Sequence, residues 1–314
     1  MALRRQTLDF GITAVDVDFV RPGLASSHIL WRDGEAALVD VGTALAAPGL
    51  LAVLDDLGIA RRAVRYLFVT HVHLDHAGGA GTLMQALPQA RVVAHPRAAR
   101  HLADPSRLWA GATAVYGEAE MARLYGSIVP VDAGSIVEAP DGFEVELAGD
   151  RLTCLDVPGH ARHHYALLDP RSDGIFSGDT FGMAYRELDT PGGRFVMPTT
   201  TPVQFDPAAL HASIDRLLAQ GPARMYLTHY SELPRPQAAA PRLHALIDAH
   251  VEATQRAVRA SAPEATLRAA IEDLLLAALA ELGCPLDVAQ QRRLLELDIG
   301  LNAQGCLHWW HNRP

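Results

Sequence analysis

The sequence predicts an α/β fold, a layered sandwich of packed sheets with helices outside, and three observations carry the prediction. Short apolar strand-like runs fall into two series, one before residue 100 and one from about 128 to 179. Each series ends in helical pattern instead of alternating with it strand by strand, which argues against a doubly wound parallel sheet. Residues able to bind metal cluster just past the ends of the apolar runs, where loops carried by a rigid scaffold place function.

The elements follow in order. ITAVDVDFV (12–20), SHILW (27–31) and AALVDV (36–41) read as strands, with the turn-prone Arg32-Asp33-Gly34 between the last two. A helical stretch at 47–58 stops at Gly58, and the compact run VRYLFV (64–69) is the next strand. A polar loop, THVHLDHAGG, leads into a helix expected over 79–87. RVVAH (91–95) is another strand, and 96–126 is helical by composition. IVPV (128–131), FEVEL (143–147), RLTCLDV (151–157), YALLD (165–169) and GIFSGD (174–179) are expected strands, followed by a helix at 207–219 and a strand RMYLT at 224–228. The proline- and alanine-rich stretch SELPRPQAAAPR (231–242) marks a boundary, so residues 1–235 form one domain and 236–314 a helical extension. In that extension Leu267, Ile271, Leu274, Leu275, Ala278, Leu279 and Leu282 recur at helical spacing, with Gly283 as the stop.

Composition narrows the chemistry. The chain has 314 residues, a formal charge of −9 and 49% hydrophobic residues, and it contains no basic block. Nucleic acid and anionic membranes both reward clustered positive charge, so neither is an expected partner; a small-molecule substrate is. All 27 basic residues are arginine, which removes any mechanism that needs a lysine amine, such as a Schiff base or a phosphate-loop lysine. Cys154, Cys284 and Cys306 are widely spaced and form no C-x-x-C pair, so they read as buried small hydrophobes in a reducing compartment. With no signal-peptide pattern and no membrane-length apolar run, the expected location is cytoplasmic.

The loop after the 64–69 strand holds His71, His73, Asp75 and His76 within six positions. Imidazole suits zinc and related first-row ions, and a carboxylate adds a hard ligand that also admits iron or manganese. One such loop can serve two metals. His160 in PGHA, Asp179 in SGDT and His229 in LTHY each follow an apolar run elsewhere in the chain and are candidates to complete the shell.

Asp40 in LVDVG, the THVHLDHAGG loop, PGHA, SGDT and LTHY, in this order across residues of about 10–230, resemble the metallo-beta-lactamase fold superfamily, in particular its glyoxalase II-like hydrolases. The resemblance implies a four-layer αββα sandwich. It implies that His71, His73 and His160 hold one divalent metal and Asp75, His76 and His229 another, with Asp179 bridging. Zinc is the first expectation, iron or manganese the alternatives. Asp40 resembles the family's buried aspartate and is expected to orient a ligand histidine. Two metals sharing a hydroxide would cleave a small ester, thioester or phosphoester, with Asp75 both ligand and proton carrier to the leaving group.

The rivals within the superfamily are a mononuclear iron dioxygenase acting on persulfides and a nuclease; the lack of a basic face argues against the second. The position three residues after Asp179 is Gly182, where related lactonases often carry tyrosine, and Tyr185 lies three residues further. Phe181, Met183, Tyr185 and Arg186 are candidates to line the substrate pocket. His164 is a candidate either to contact substrate or to support a ligand. His28, His95, His101, His211, His244 and His250 read as isolated surface or core histidines, and Trp309 and Trp310 as docking the C-terminal tail. The extension has two candidate uses, covering the cleft or forming a homodimer.

Overall fold

The computed structural model describes residues 3–200 and 203–313 and divides the chain into two compact units. The first contains Met1–Asp156, His163–Gly178 and Thr228–Ser231; the second contains Val157–Arg162, Asp179–Leu227 and Glu232–Pro314.

The first unit is built on two sheets. One runs in simple sequence order: β1 (Arg5–Thr7), β2 (Ile12–Asp16), β3 (Ser26–Arg32), β4 (Glu35–Val39), β5 (Val64–Val69), β6 (Arg91–Ala94) and β7 (Ile136–Glu138). Pairing is antiparallel through β4 and parallel from β4 to β7. The β3–β4 hairpin closes through Asp33 and Gly34, both at positive φ, the two-residue turn whose twist matches the flanking strands. Parallel pairing requires crossovers, and α1 (Ala47–Asp56), α2 (Leu74–Ala77), α3 (Ala80–Met84), α4 (Pro96–Ala103), α5 (Ser106–Tyr116) and α6 (Glu118–Tyr125) lie in those connections. The unit's other strands, β8 (Phe143–Leu147), β9 (Asp150–Asp156), β10 (Tyr165–Asp169) and β11 (Gly174–Gly178), pair antiparallel in that order. β2 and β11 are buried at every position, so neither shows the in-and-out alternation of a strand with one face in water.

One ion pair ties the two sheets together. Arg32 at the end of β3 donates from Nη1 to Asp169 Oδ1 at 2.8 Å and from Nη2 to Asp169 Oδ2 at 2.7 Å. Both side chains are buried, and Ser172 Oγ adds a third donor to Asp169. The bidentate geometry offsets the cost of removing two charges from water.

The second unit contains α7 (Pro207–Ala219), β12 (Arg224–Leu227), all but the first residue of β13 (Ser231–Pro234) and the three long helices α8 (Pro236–Ala257), α9 (Pro263–Glu281) and α10 (Val288–Asn312). The helices pack on one another, burying Leu243 and Ile247 of α8, Leu267, Ile271 and Leu275 of α9 and Leu295 of α10. The C-terminal stretch is therefore helical, as the leucine spacing predicts. Asp287 caps α10 in a full capping box with Gln290. None of the described helices is long and apolar enough to cross a membrane.

Three local expectations differ from the structure. IVPV at 128–131 forms no strand: Pro130 has no N–H to give a ladder, and the strand falls at Ile136–Glu138 instead. The helix expected over 79–87 is α3, Ala80–Met84, but a separate short helix, α2, precedes it, so Asp75 and His76 sit on a helix and not in an open loop. Within the proline-rich 231–242 stretch, Ser231–Pro234 is a strand, β13, that the sequence reading does not give, and α8 starts at Pro236, where the helical extension is expected.

Candidate metal centre

β5 ends at Val69, and the chain turns at once into Thr70, His71, His73 and helix α2. Gly78 and Gly79 let this turn lie against residues 41–43: a Cβ at Gly79 would stand 2.8 Å from Val41 O and 2.9 Å from Thr43 O. That close approach is the physical reason for the paired glycines of the loop.

Asp40 sits beneath the turn, fully buried and at φ +50°. Its Oδ1 accepts from the Thr70 amide at 2.9 Å, and its Oδ2 accepts from His76 Nδ1 at 2.7 Å and Thr228 Oγ1 at 2.7 Å. Thr70 Oγ1 is also within 3.0 Å of Asp40. A carboxylate accepts only, so the proton of His76 lies on Nδ1 and its Nε2 carries the lone pair. His229 is set the same way: its Nδ1 donates to Leu24 O at 2.8 Å.

The two Nε2 atoms converge on Asp75, with His76 Nε2 at 3.6 Å and His229 Nε2 at 3.4 Å from Asp75 Oδ2. Ligand atoms on a tetrahedron with bonds of about 2.0–2.1 Å are about 3.3–3.4 Å apart, so these separations suit co-ligands of one ion better than hydrogen bonds. Asp75, His76 and His229 therefore form a group that could hold a divalent metal. Beside it, His71 Nε2 lies 2.7 Å from His73 Nδ1, and His71 Nδ1 is 3.1 Å from Thr70 Oγ1. His164 stacks on His71 with ring centroids 4.7 Å apart, which places it behind a candidate ligand as a support. Gly178 makes room for it: at φ +50°, a Cβ there would stand 2.6 Å from His164 Nε2 and 2.8 Å from Thr70 Oγ1.

In the second unit His160 and Asp179 come together. His160 Nδ1 donates to Thr199 O at 3.1 Å, which leaves Nε2, facing Asp179 Oδ2 at 3.3 Å, as the ring's ligand atom. Gly182, at φ +75°, closes a turn on Asp179 O, and Met183 and Met197 exchange backbone hydrogen bonds. Phe181, Met183 and Tyr185 are buried, and Tyr185 Oη donates to Asp298 of α10 at 3.2 Å. Arg186 is partly exposed and reaches Glu232 O.

The remaining histidines are less isolated than their spacing suggests. His211 of α7 and His244 of α8 stack, with their Nδ1 atoms 2.6 Å apart. His163 lies 5.8 Å from His73 and 6.3 Å from His101 between ring centroids. His28 and His250 are fully buried, and burial lowers each pKa from 6.5 to about 4. The cysteines are free; Cys154 and Cys306 are buried, and burial pushes their thiols up to about 12 and about 11, so neither supplies a thiolate near neutrality. Trp309 sits edge-on to Phe205, docking the tail.

A family model for the metallo-beta-lactamase superfamily matches residues 20–229, a span that opens before Asp40 and closes on His229. The chain belongs to the metallo-beta-lactamase superfamily. It is 28% identical over 196 residues to a metallo-beta-lactamase fold-containing protein of Sulfurisphaera tokodaii, covering 61% of this chain and 67% of that protein. It is 32% identical over 161 residues to a hydroxyacylglutathione hydrolase of a Synechococcus species, covering 51% of this chain and 50% of the relative. The chain thus spans about half the length of that hydrolase. A solved metallo-beta-lactamase family protein from Thermus thermophilus superposes with a TM-score of 0.67 at 21% identity, over 96% of this chain and 93% of that one. The fold is the α/β metallo-beta-lactamase sandwich that the motif order implies, with helices at the C-terminus.

Thr70, Thr228, Leu24 O and Thr199 O were not expected at the site. A signal for the first two was present: each stands immediately before a candidate ligand, in Thr70-His71 and Thr228-His229, and both donate to Asp40.

Proposed function

We propose that this chain is a metal-dependent hydrolase with a dinuclear site that cleaves a small ester, thioester or phosphoester. In this reading His71, His73 and His160 would hold one metal and Asp75, His76 and His229 the other, with Asp179 as the carboxylate they would share. Zinc is the metal we expect, because a mainly imidazole set with carboxylates suits it. The observation that carries the proposal is the fixed tautomer of three rings: Asp40, Leu24 O and Thr199 O hold the Nδ1 protons of His76, His229 and His160, and each Nε2 is turned toward a carboxylate.

When bound, paired divalent metals supply Lewis acidity and lower the pKa of a shared water toward neutrality. The chain's own residues do the rest. Asp40 keeps His76 oriented and raises its basicity. The Asp75 side chain is 20% exposed where His76 is fully buried, so it can carry a proton to a leaving group. The hydroxyacylglutathione hydrolases among the relatives favour a thioester as the first substrate class to try.

The test is a panel of ester, thioester and phosphodiester substrates, run on protein purified without added metal and with its metal content measured. Two metals per chain and turnover lost in Asp179→Ala are the expected results. One iron per chain with sulfide-dependent oxygen uptake would sink the hydrolase reading.

A further inference from the structure

The C-terminal helices hold a buried polar contact that the proposed chemistry has not yet used. Asn302 lies midway along α10, 1% exposed, and its amide grips the chain on both sides of Thr199. Asn302 Oδ1 accepts from the Thr200 amide at 2.7 Å, and Asn302 Nδ2 donates to Pro198 O at 3.1 Å. Thr200 Oγ1 adds contacts of 3.1 Å to Asn302 Oδ1 and 3.0 Å to the Asn302 carbonyl. Thr199 O, the acceptor that fixes the Nδ1 proton of His160, is the carbonyl of the same planar peptide as the gripped Thr200 amide.

We propose that Asn302 is a positioning residue for His160: by clamping residues 198 and 200 it aims the Thr199 carbonyl, which sets the tautomer and ring angle with which His160 presents Nε2 beside Asp179. The inference rests on the reading of His160 as a metal ligand.

The clamp suits this task physically. Both amide groups of Asn302 are used, one as donor and one as acceptor, so neither can rotate away without leaving a buried partner unsatisfied. The Thr199 carbonyl lies in one plane with the pinned Thr200 N–H, and the preceding peptide is pinned at Pro198 O, so it has little freedom of its own. The segment is further fixed at Met197 by its paired hydrogen bonds with Met183. α10 thereby acts on the centre through residues 198–200 without contributing a ligand. Asp298, one turn earlier on α10, acts on the same loop from the other end by accepting from Tyr185. The extension therefore holds both ends of the segment that follows Asp179.

The experiment compares wild type, Asn302→Leu and Asn302→Asp. Leucine keeps the volume and removes both hydrogen bonds; aspartate keeps the acceptor for Thr200 and loses the donor to Pro198. Folding is checked by circular dichroism and melting. Two readouts are independent of turnover: the nitrogen-15 shifts of the His160 ring in metal-free protein, which report the tautomer, and metal affinity by chelator competition. Partners of ligating histidines are worth 10- to 100-fold in metal affinity, so a loss of about 10-fold is expected in Asn302→Leu, with a smaller loss in Asn302→Asp. The His160 ring is expected to change from a fixed Nδ1–H form to a mixture of tautomers. A folded variant with unchanged His160 shifts and unchanged affinity overturns the proposal. If leucine does not fold, the aspartate variant decides by the same two measurements. If wild type binds metal yet hydrolyses no substrate in the panel, the hydrolase reading fails while these measurements still judge Asn302.

Discussion

Two pairs of histidines in this protein make nearly the same contact and differ in almost everything around it. His71 and His73 bring ring nitrogens to 2.7 Å, and His211 and His244 bring theirs to 2.6 Å. The first pair follows β5, with His71 fully buried, braced by His164 and beside Asp75 and His76. The second pair joins α7 to α8 near the surface, and its outer nitrogens meet Asp248 at 3.0 Å and Asp215 at 3.2 Å, carboxylates whose side chains are 69% and 71% exposed. Close imidazoles alone do not make a metal centre. The surroundings decide: buried acceptors that fix the proton on one nitrogen, and further ligand atoms converging on the other.

The comparison can be broken most sharply at the first pair. His71→Ala is expected to abolish turnover on every substrate of the panel and to lower metal content; activity retained at wild-type level would remove the buried pair from the centre. Next comes Asp40→Asn, which keeps the shape and loses the charge that four donors share. A 10- to 100-fold loss of metal affinity is expected, with about 3 kcal/mol of stability lost because buried donors are left poorly paired. Chelator competition and urea unfolding measure the two effects, and no change in either would show that Asp40 is only filling space.

Buried rings outside the centre sharpen the contrast further. His28 and His250 are held neutral, their folded pKa of about 4 lying below the unfolded 6.5. The unfolded chain therefore takes up more protons below 6.5. The stability is complete above pH 6.5 and is lost as pH falls from there through about 4, by on the order of 3 kcal/mol for each ring. His250→Leu should remove its share and leave the acid transition shallower; a urea midpoint that does not move between pH 7 and 4.5 in wild type would contradict this. The smallest effect belongs to the surface pair. His211→Ala should change stability by less than about 1 kcal/mol and leave turnover and metal content as they were, since exposed ion pairs contribute little. A fall in metal content would reveal the surface pair as a site after all.

Much of the site was legible in the sequence because its ligand types stand directly after strands: Val69 precedes the Thr70-His71 turn, Gly178 precedes Asp179, and Leu227 precedes Thr228-His229. The strand cores were legible for the same reason, as apolar runs between turn residues. Backbone acceptors were not, because Leu24 O and Thr199 O carry no residue-type signal; any residue presents a carbonyl. β1 was missed because RQT is wholly exposed and polar, an edge strand with no apolar residue to signal it. β13 was hidden by its proline-rich context, although Pro234 stands at its last position, where no ladder donor is needed. Asn302 could not be read at all, since its role depends on a contact across 104 positions of chain.

The three rings whose Nδ1 protons are held by Asp40, Leu24 O and Thr199 O have a consequence for how an ion enters. Zinc fingers form their sites only as they fold, so part of the binding energy is consumed in ordering the chain. Here the ordering is done by protein groups before any ion arrives, and binding is capture by a waiting cage. The metal-free protein should then melt cooperatively with native circular dichroism. Metal uptake should follow a rate set by encounter and dehydration of the ion, with no slow phase from refolding.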